Sequence, residues 1–353
     1  MRSTIRQVAE RAQVSRMTVS RVLQGRKEQV SEDTYARVLS VMQEMNYIPV
    51  RPVMQNRHIQ TNTIGLVPYH RNPSRNLLDS LTFEGLCDGA SGHGYDLFIM
   101  LRGESEWMAN REELRFLDRR SDGFIFISPG VHEWQTALET LVQHKIPAIV
   151  CYRRDVPEGV AWVDPDNKRI VQLAVRHLLT HGHTRLAYLS GPKTSPSGNG
   201  LLANLSGPRV NYDDEVRIRA FHEGLRAAHL PEALVLCPGD SDWTLTRTEV
   251  QSLLDSGATG VICANDHLAL QLWDHLNAMG LSVPDDLSIV GVDNQHHATN
   301  RGLSSIGFGY DEVGRHAVQA WIELRGGAPA NTCCKVVPVH LVERASVGPP
   351  PSR

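Results

Sequence analysis

The chain has no Cys-x-x-Cys pair, and its six cysteines are scattered along 353 residues. Cys333 and Cys334 are adjacent, which is poor geometry for an ordinary structural disulfide. This usage predicts reduced thiols in a cytoplasmic setting, with Cys151 and Cys263 packed as small apolar groups. No apolar run reaches the ~18 residues that cross a bilayer, so no membrane partner is expected. Met1 to Glu10 holds no apolar core of a secretory leader. Absent too are Gly-x-Ser-x-Gly, the phosphate-cradling Gly-x-x-x-x-Gly-Lys-Ser/Thr and His-Glu-x-x-His. Gly198–Ala203 imitates a dinucleotide turn but does not follow a strand run. Neither an enzyme nor a cofactor is therefore expected.

What is present is a soluble composition, 41% hydrophobic and 21% charged, with an uneven charge distribution. Residues 1–60 hold ten Lys/Arg against five Asp/Glu, a balance of +5. The remaining 26 against 34 give −8, so the net charge of −3 joins a basic head to an acidic body. Only the head is suited to a polyanion.

Helical periodicity places Ile5, Val8, Ala9 and Ala12 on one face. Ser15 is an N-cap candidate for a second helix, whose Val19, Val22 and Leu23 point inward while Arg16, Met17, Ser20 and Arg21 point outward. Gly25 stops it. Ser31 opens a third helix, with Glu32 and Asp33 favourable to its dipole and a buried stripe of Tyr35, Val38, Leu39, Met42 and Met45. Residues 48–61 are polar, contain two prolines and read as a linker. From Thr63 strands alternate with helices. The strand-like runs are Ile64–Val67, Tyr95–Leu101, Gly123–Ile127, Pro147–Cys151, Arg185–Leu189, Ala233–Cys237, Thr259–Cys263 and Leu287–Val292. Helix-length stretches such as Asn167–His181 and Asp266–Met279 lie between them. Such alternation implies parallel sheets covered on both faces, and its length implies two doubly wound lobes, with ligands taken at the carboxyl ends of their strands, in a cleft between lobes. Gly191–Asp213 reads as a long loop, and the proline-rich end as a disordered tail over residues 346–353.

The run TIRQVAERAQVSRMTVSRVLQG (4–25) followed by VSEDTYARVLSVMQEMNYIP (30–49) resembles the lactose-repressor (LacI/GalR) family of bacterial transcription regulators. The resemblance implies an all-α helix-turn-helix head whose second helix enters the ~12 Å major groove of double-stranded operator DNA. It places base-reading residues at Arg16, Met17 and Arg21, and phosphate contacts at Thr4, Ser15, Thr18, Ser20, Ser31, Thr34 and Tyr47. In the family's hinge a leucine wedges into the minor groove. Here that position is Asn56, with Pro52 and Met54 nearby, and Met54 is the substitute wedge.

The body also resembles the family, and beyond it the periplasmic sugar-binding proteins, through TIGLV (63–67), DGFIFI (122–127), AVRHLLTHGHTRLAYLSGP (174–192), RIRAF (217–221), ICANDHLAL (262–270) and LSIVGVDN (287–294). This implies an α/β body of two periplasmic-binding-protein-like lobes around a small effector. The matching ligand positions are Arg217, Asp293 and Asn265, the last equally a helix N-cap. Trp243 matches a sugar-stacking tryptophan or is a core residue. Tyr69, Asn72, Asp166, Phe308 and Tyr310 are further candidates. A position acidic in the family is Tyr152 here. His181-Gly182-His183 reads as a helix stop, not a metal pair, and no metal is expected.

The expected organisation is a head at 1–47, a linker at 48–61, one lobe from 62–162 with 293–321, and a second from 163–292 with 322–345. The expected function is a homodimeric repressor controlled by a carbohydrate. A sugar-binding protein without a regulatory role and an architectural DNA binder without an effector remain as alternatives.

Overall fold

The computed structural model describes residues 4–23, 26, 29–45, 47, 61–68, 77–100, 112–127, 134–191, 212–238 and 243–352. Met54, Tyr69, Asn72 and most of the 191–213 loop lie outside these.

The head is built from α1 (Ile5–Arg11), α2 (Arg16–Leu23) and α3 (Glu32–Glu44). A capping box opens α1: the Thr4 hydroxyl accepts from the Gln7 amide, while the Gln7 side chain accepts from the Thr4 amide. Val8, Ala9, Ala12, Val19, Val22, Tyr35, Val38, Val41 and Met42 form the head's own core, with Ile5, Leu23, Leu39 and Met45 packed at its margin. Burying this stripe is what holds together helices too short to persist alone.

The other described residues form two six-stranded sheets. The first runs in the order β11-β5-β4-β3-β1-β2, from β1 (Thr63–Val67), β2 (Asp96–Ile99), β3 (Phe124–Ile127), β4 (Ala148–Cys151), β5 (Ala161–Pro165) and β11 (Lys335–Val337). The second runs β12-β10-β9-β8-β6-β7, from β6 (Leu186–Leu189), β7 (Val235–Leu236), β8 (Gly260–Cys263), β9 (Ser288–Val292), β10 (Ser304–Phe308) and β12 (Val339–Val342). Every recorded pairing is parallel except β10 with β12. The central strands are buried throughout, as sheets covered on both faces require. The helices of the body are α4 (Leu77–Gly92), α5 (Gln135–Gln143), α6 (Asn167–Thr180), α7 (Tyr212–Ala227), α8 (Arg247–Asp255), α9 (Asp266–Ala278), α10 (His296–Arg301), α11 (Tyr310–Arg325) and α12 (Ala330–Cys333).

Two compact units result. One takes residues up to 151, 155–162 and 314–334; the other takes 152–154, 163–313 and 335–353. This corrects the expected allocation of 293–321 to the first lobe and 322–345 to the second. Ser304, Ser305 and Ile306 pair with β9, so that stretch belongs to the second sheet, and the chain changes unit after 313 and again after 334. The expected disordered tail is also corrected at its start. Ser346 and Gly348 are buried and bonded: the Ser346 hydroxyl donates to the Ile289 carbonyl, and the Gly348 amide donates to the Ser288 hydroxyl. The loop expected to run to Asp213 ends sooner, because α7 begins at Tyr212.

His183 shows why its motif is structural. Its Nδ1 lies 3.0 Å from the Thr259 hydroxyl and its Nε2 2.8 Å from the Gly348 carbonyl, while Gly182 takes φ +93° just past the end of α6.

A tight contact in the first unit yields a stability prediction. A Cβ on Gly123 would meet Trp321 Nε1 at 2.5 Å and the Pro147 carbonyl at 2.6 Å. Trp321 is fully buried and the carbonyl is fixed in the chain, so neither can yield cheaply. Gly123→Ala is expected to cost about 1–3 kcal/mol of overpacking strain. The urea midpoint measures it, and an unchanged midpoint would show that the tryptophan repacks freely.

Candidate functional site

In the head, α2 presents Arg16 and Met17 to solvent, with Ser20 and Arg21 half-buried beside them. Met17 is 65% exposed, unusual for a large apolar side chain at the front of a short helix. Among the described residues neither Arg16 nor Arg21 forms an ion pair, whereas Arg6 and Arg11 pair with Glu10 and Glu44. The hydroxyls expected at phosphates occur as bonded pairs at helix starts. Ser15 Oγ accepts from the Thr18 amide at 3.1 Å and lies 2.9 Å from the Thr18 hydroxyl. The Ser31 hydroxyl donates to that of Thr34 at 2.8 Å and caps no main-chain amide, contrary to the cap its sequence suggests. Both pairs sit where helix N-termini favour anions. Tyr47, also expected at a phosphate, is 6% exposed and packs in the head core.

The second unit gathers polar side chains at the carboxyl ends of its strands. Arg217, on α7, is buried. Its Nε donates to Asn167 Oδ1 at 2.7 Å, and its Nη1 donates to the Ala264 carbonyl, just past β8, at 2.8 Å. Asn167 Nδ2 in turn donates to Asp213 Oδ1 at 3.1 Å and to Asp164 Oδ1 at 3.3 Å. Asp164, at the end of β5, accepts from Arg154 Nε at 2.6 Å. Asp214 accepts from the Tyr188 hydroxyl at 3.1 Å and from the Gly191 amide at 2.9 Å. A side chain on Gly191 would strike Asp214 and the Trp243 ring, at 2.5 and 2.6 Å from its Cβ, so glycine is what lets those two approach.

Asp293 follows β9 with φ +106°, a backbone region that L side chains rarely adopt, and accepts from the Tyr310 hydroxyl at 2.5 Å. Tyr152 and Trp243 also hold positive φ, +66° and +62°. Such strain persists only where surrounding structure enforces it, and it concentrates at functional sites. Tyr310 packs on Phe308, ring centroids 4.2 Å apart, and faces Tyr152 at 6.3 Å.

Burial governs the electrostatics. It raises Asp293 to about 7, with the Asp266 charge adding to it and the Tyr310 hydrogen bond opposing it. Burial likewise raises Asp266 to about 6, against hydrogen bonds from the Ser305 hydroxyl and the Gln295 amide. Asp164, Asp213 and Asp214 are raised for the same reason, with Arg217 pulling each back down. Burial works to lower Arg217, but the nearby Asp213, Tyr188, Asp214 and Asp293 hold it above its ordinary value. One guanidinium therefore organises a group of carboxyls that burial alone would protonate. Asp213 and Asp293 stay partly open to solvent, as do Asp166, Asn265 and Trp243, whereas Asp164, Asn167, Asp214 and Arg217 are buried beneath them.

Of the residues expected from sequence, Arg217, Asp293 and Tyr310 fall within this network, with Phe308 stacked beside it. Asp166 and Asn265 are N-caps, accepting from the Arg169 and Leu268 amides. Asp164, Asn167, Asp213, Asp214 and Arg154 were not expected. The D-P-D-N run at 164–167 and the Asp213-Asp214 pair ahead of RIRAF were the available signals.

The arrangement matches known proteins at both levels. Residues 4–50 match the family described as bacterial regulatory proteins, lacI family, and residues 175–347 match a periplasmic binding protein-like domain. An HTH-type transcriptional regulator in the aml 5'region of Streptomyces limosus is 30% identical, covering 81% of this chain and 77% of its own length. The HTH-type transcriptional regulator MalR of Streptomyces coelicolor is 28% identical, over 99% of this chain and 98% of its own. The solved structure of the transcriptional regulator CelR with cellobiose superposes with a TM-score of 0.66 at 24% identity, covering 98% of this chain and all of that one.

Proposed function

Because the chain belongs to the lacI family of bacterial regulatory proteins, transcriptional regulators and not enzymes, we propose that it is a homodimeric repressor whose hold on operator DNA is set by a neutral carbohydrate. Arg21 and Arg16 read base edges in the major groove, and Met17 supplies an apolar contact to a thymine methyl. Thr4, Ser15, Thr18, Ser20, Ser31 and Thr34 take phosphates and set register. Two copies act together because one short helix reads too few base pairs for specificity.

The observation that carries the effector assignment is the Arg217 network, with Asp293 and Asp213 partly open above it. Carboxylates and amide groups beside the Phe308–Tyr310 stack suit a ligand with many hydroxyls and apolar ring faces. The cellobiose carried by the CelR structure is a ligand of that chemistry. Effector binding alters operator affinity by favouring one of two body conformations.

Selection from a random DNA pool with the purified protein tests the DNA half. The expected result is one enriched palindrome with half-sites spaced near a helical turn. Salt-sensitive binding with no enriched sequence would identify an architectural binder instead and overturn the proposal.

A further inference from the structure

Within the first unit the chain reaches β1 through Thr61 and Asn62, and both are fastened to one side chain. Asp122 Oδ1 accepts from the Thr61 amide and from the Thr61 hydroxyl, each at 2.9 Å. Its Oδ2 accepts from the Asn62 amide at 3.0 Å and from Arg325 Nη2 at 3.3 Å. Four donors on one carboxylate use its acceptor capacity fully. The Asp122 side chain is only 11% exposed, and its bonds to Thr61 are half-buried while the one to the Asn62 amide lies at the surface.

The surroundings hold the clamp still. Asn62 takes φ +50°, a left-handed turn that asparagine tolerates, and its carbonyl accepts from the Asp96 amide at 2.8 Å. The Thr61 carbonyl accepts from the Thr63 hydroxyl at 3.1 Å. Arg325 also bonds the Tyr95 hydroxyl and lies against the faces of Tyr95 and Trp321, its guanidinium carbon 5.4 and 5.5 Å from their ring centroids. Tyr95 and Trp321 meet edge to face at 5.1 Å. The carboxylate is thus positioned by an arginine that is itself fixed by two rings. β1 itself is paired on both sides, with β2 and β3, so the clamp adds to an edge-to-edge ladder that already holds the strand.

We propose that Asp122 is a positioning residue for DNA recognition: it fixes the direction in which the chain leaves the first sheet for the head, and so restricts the half-site spacing the dimer accepts. The half-site part rests on the dimeric repressor reading; the clamp itself does not. Asp122→Asn turns one acceptor into an amino group facing the Asn62 amide and Arg325, both donors, and so opens half of the clamp. Thr61→Val removes one donor to Asp122, and with it the hydroxyl that accepts from the Thr63 amide at 3.2 Å, with little change of shape.

Two measurements test this on the full-length protein. Hydrogen exchange reads the Thr61 and Asn62 amides directly: in Asp122→Asn the Asn62 amide is expected to exchange at least about tenfold faster and the Thr61 amide faster by less, with a smaller rise at both in Thr61→Val. Binding to variants of the enriched palindrome with half-site spacing altered by single base pairs reads the consequence. The wild type is expected to prefer one spacing and Asp122→Asn to bind several alike, with affinity for the best spacing reduced about tenfold and the melting temperature little changed. Wild-type exchange at both amides, or an unchanged spacing preference in the variant, overturns the clamp. If the wild type enriches no palindrome, the repressor reading has failed, and exchange at Thr61 and Asn62 alone decides whether Asp122 holds the chain there. If Asp122→Asn does not fold, Thr61→Val carries both measurements.

Discussion

Arg217→Met is expected to lose effector control altogether and to destabilise the second unit by about 3–5 kcal/mol at pH 8, the cost of leaving buried charge uncompensated. The arginine bonds Asn167 and the Ala264 carbonyl and faces Asp213, Asp214 and Asp293, so its removal strips the cation from several carboxyls at once. Arg217→Lys restores the charge without the planar fork and is expected to recover part of the stability but little of the effector response. The loss should depend on pH, and the sign follows from linkage. Asp293 ordinarily titrates at 3.8 and is raised to about 7. Between those values the folded protein holds a proton that the unfolded chain has released, so stability falls as pH rises through this window and levels off above it. Arg217 restrains that rise, so in the variant the carboxyls stay protonated to higher pH. The penalty should therefore shrink between pH 8 and pH 6. Urea melts at both values measure it, and a penalty equal at both would mean that the carboxyls are not what the arginine compensates.

Arg21→Ala is the second large effect, and it falls on DNA. A bidentate arginine–guanine contact supplies roughly 1–3 kcal/mol of discrimination, and a dimer makes it twice. Operator affinity should fall by roughly 30- to 20,000-fold while affinity for unrelated DNA changes little. Repeated site selection should show discrimination lost at one base pair of each half-site. Thr34→Ala offers the contrast, because a phosphate contact weakens binding to all sequences alike. A uniform loss in Arg21→Ala would assign that side chain to the backbone of the DNA.

The head was legible in the sequence because its core is local. Apolar residues spaced for short helices and hydroxyls at their starts leave few alternatives, and Val8, Ala9, Ala12, Val19 and Val22 are buried as their spacing implied. Tyr47, expected at a phosphate, packs in the head core, because an aromatic residue with a hydroxyl fits a core or a phosphate equally well in sequence. In the body, α6 and α9 were plain from their periodicity, and so were strands with continuous apolar runs. Four strands were not seen. Ser304 and Ser305 open β10 with hydroxyls that look like a loop, yet both are buried, bonded to Arg344 and Asp266. β5 carries a buried aspartate and a proline, and β11 and β12 are short edge strands placed by tertiary pairing. Missing β10 displaced the unit boundaries with it.

The site divides the same way. Arg217 and Asp293 could be named because each follows a recognisable run. Asn167, Asp164 and Asp213 could not, because each reads alone as a helix start or a solvated acid. Only the fold brings residues 46 and 50 positions apart into one hydrogen-bonded group.

On the proposed function, one molecule couples a neutral sugar to operator DNA. Operator affinity of the wild-type protein, measured on the enriched palindrome at fixed salt across a panel of neutral mono- and disaccharides, tests it most directly. One sugar should change the dissociation constant by about 5- to 150-fold, the range of ordinary allosteric coupling, and Arg217→Met should abolish the change. The same dissociation constant with every sugar in the panel would mean that no neutral sugar controls its hold on DNA.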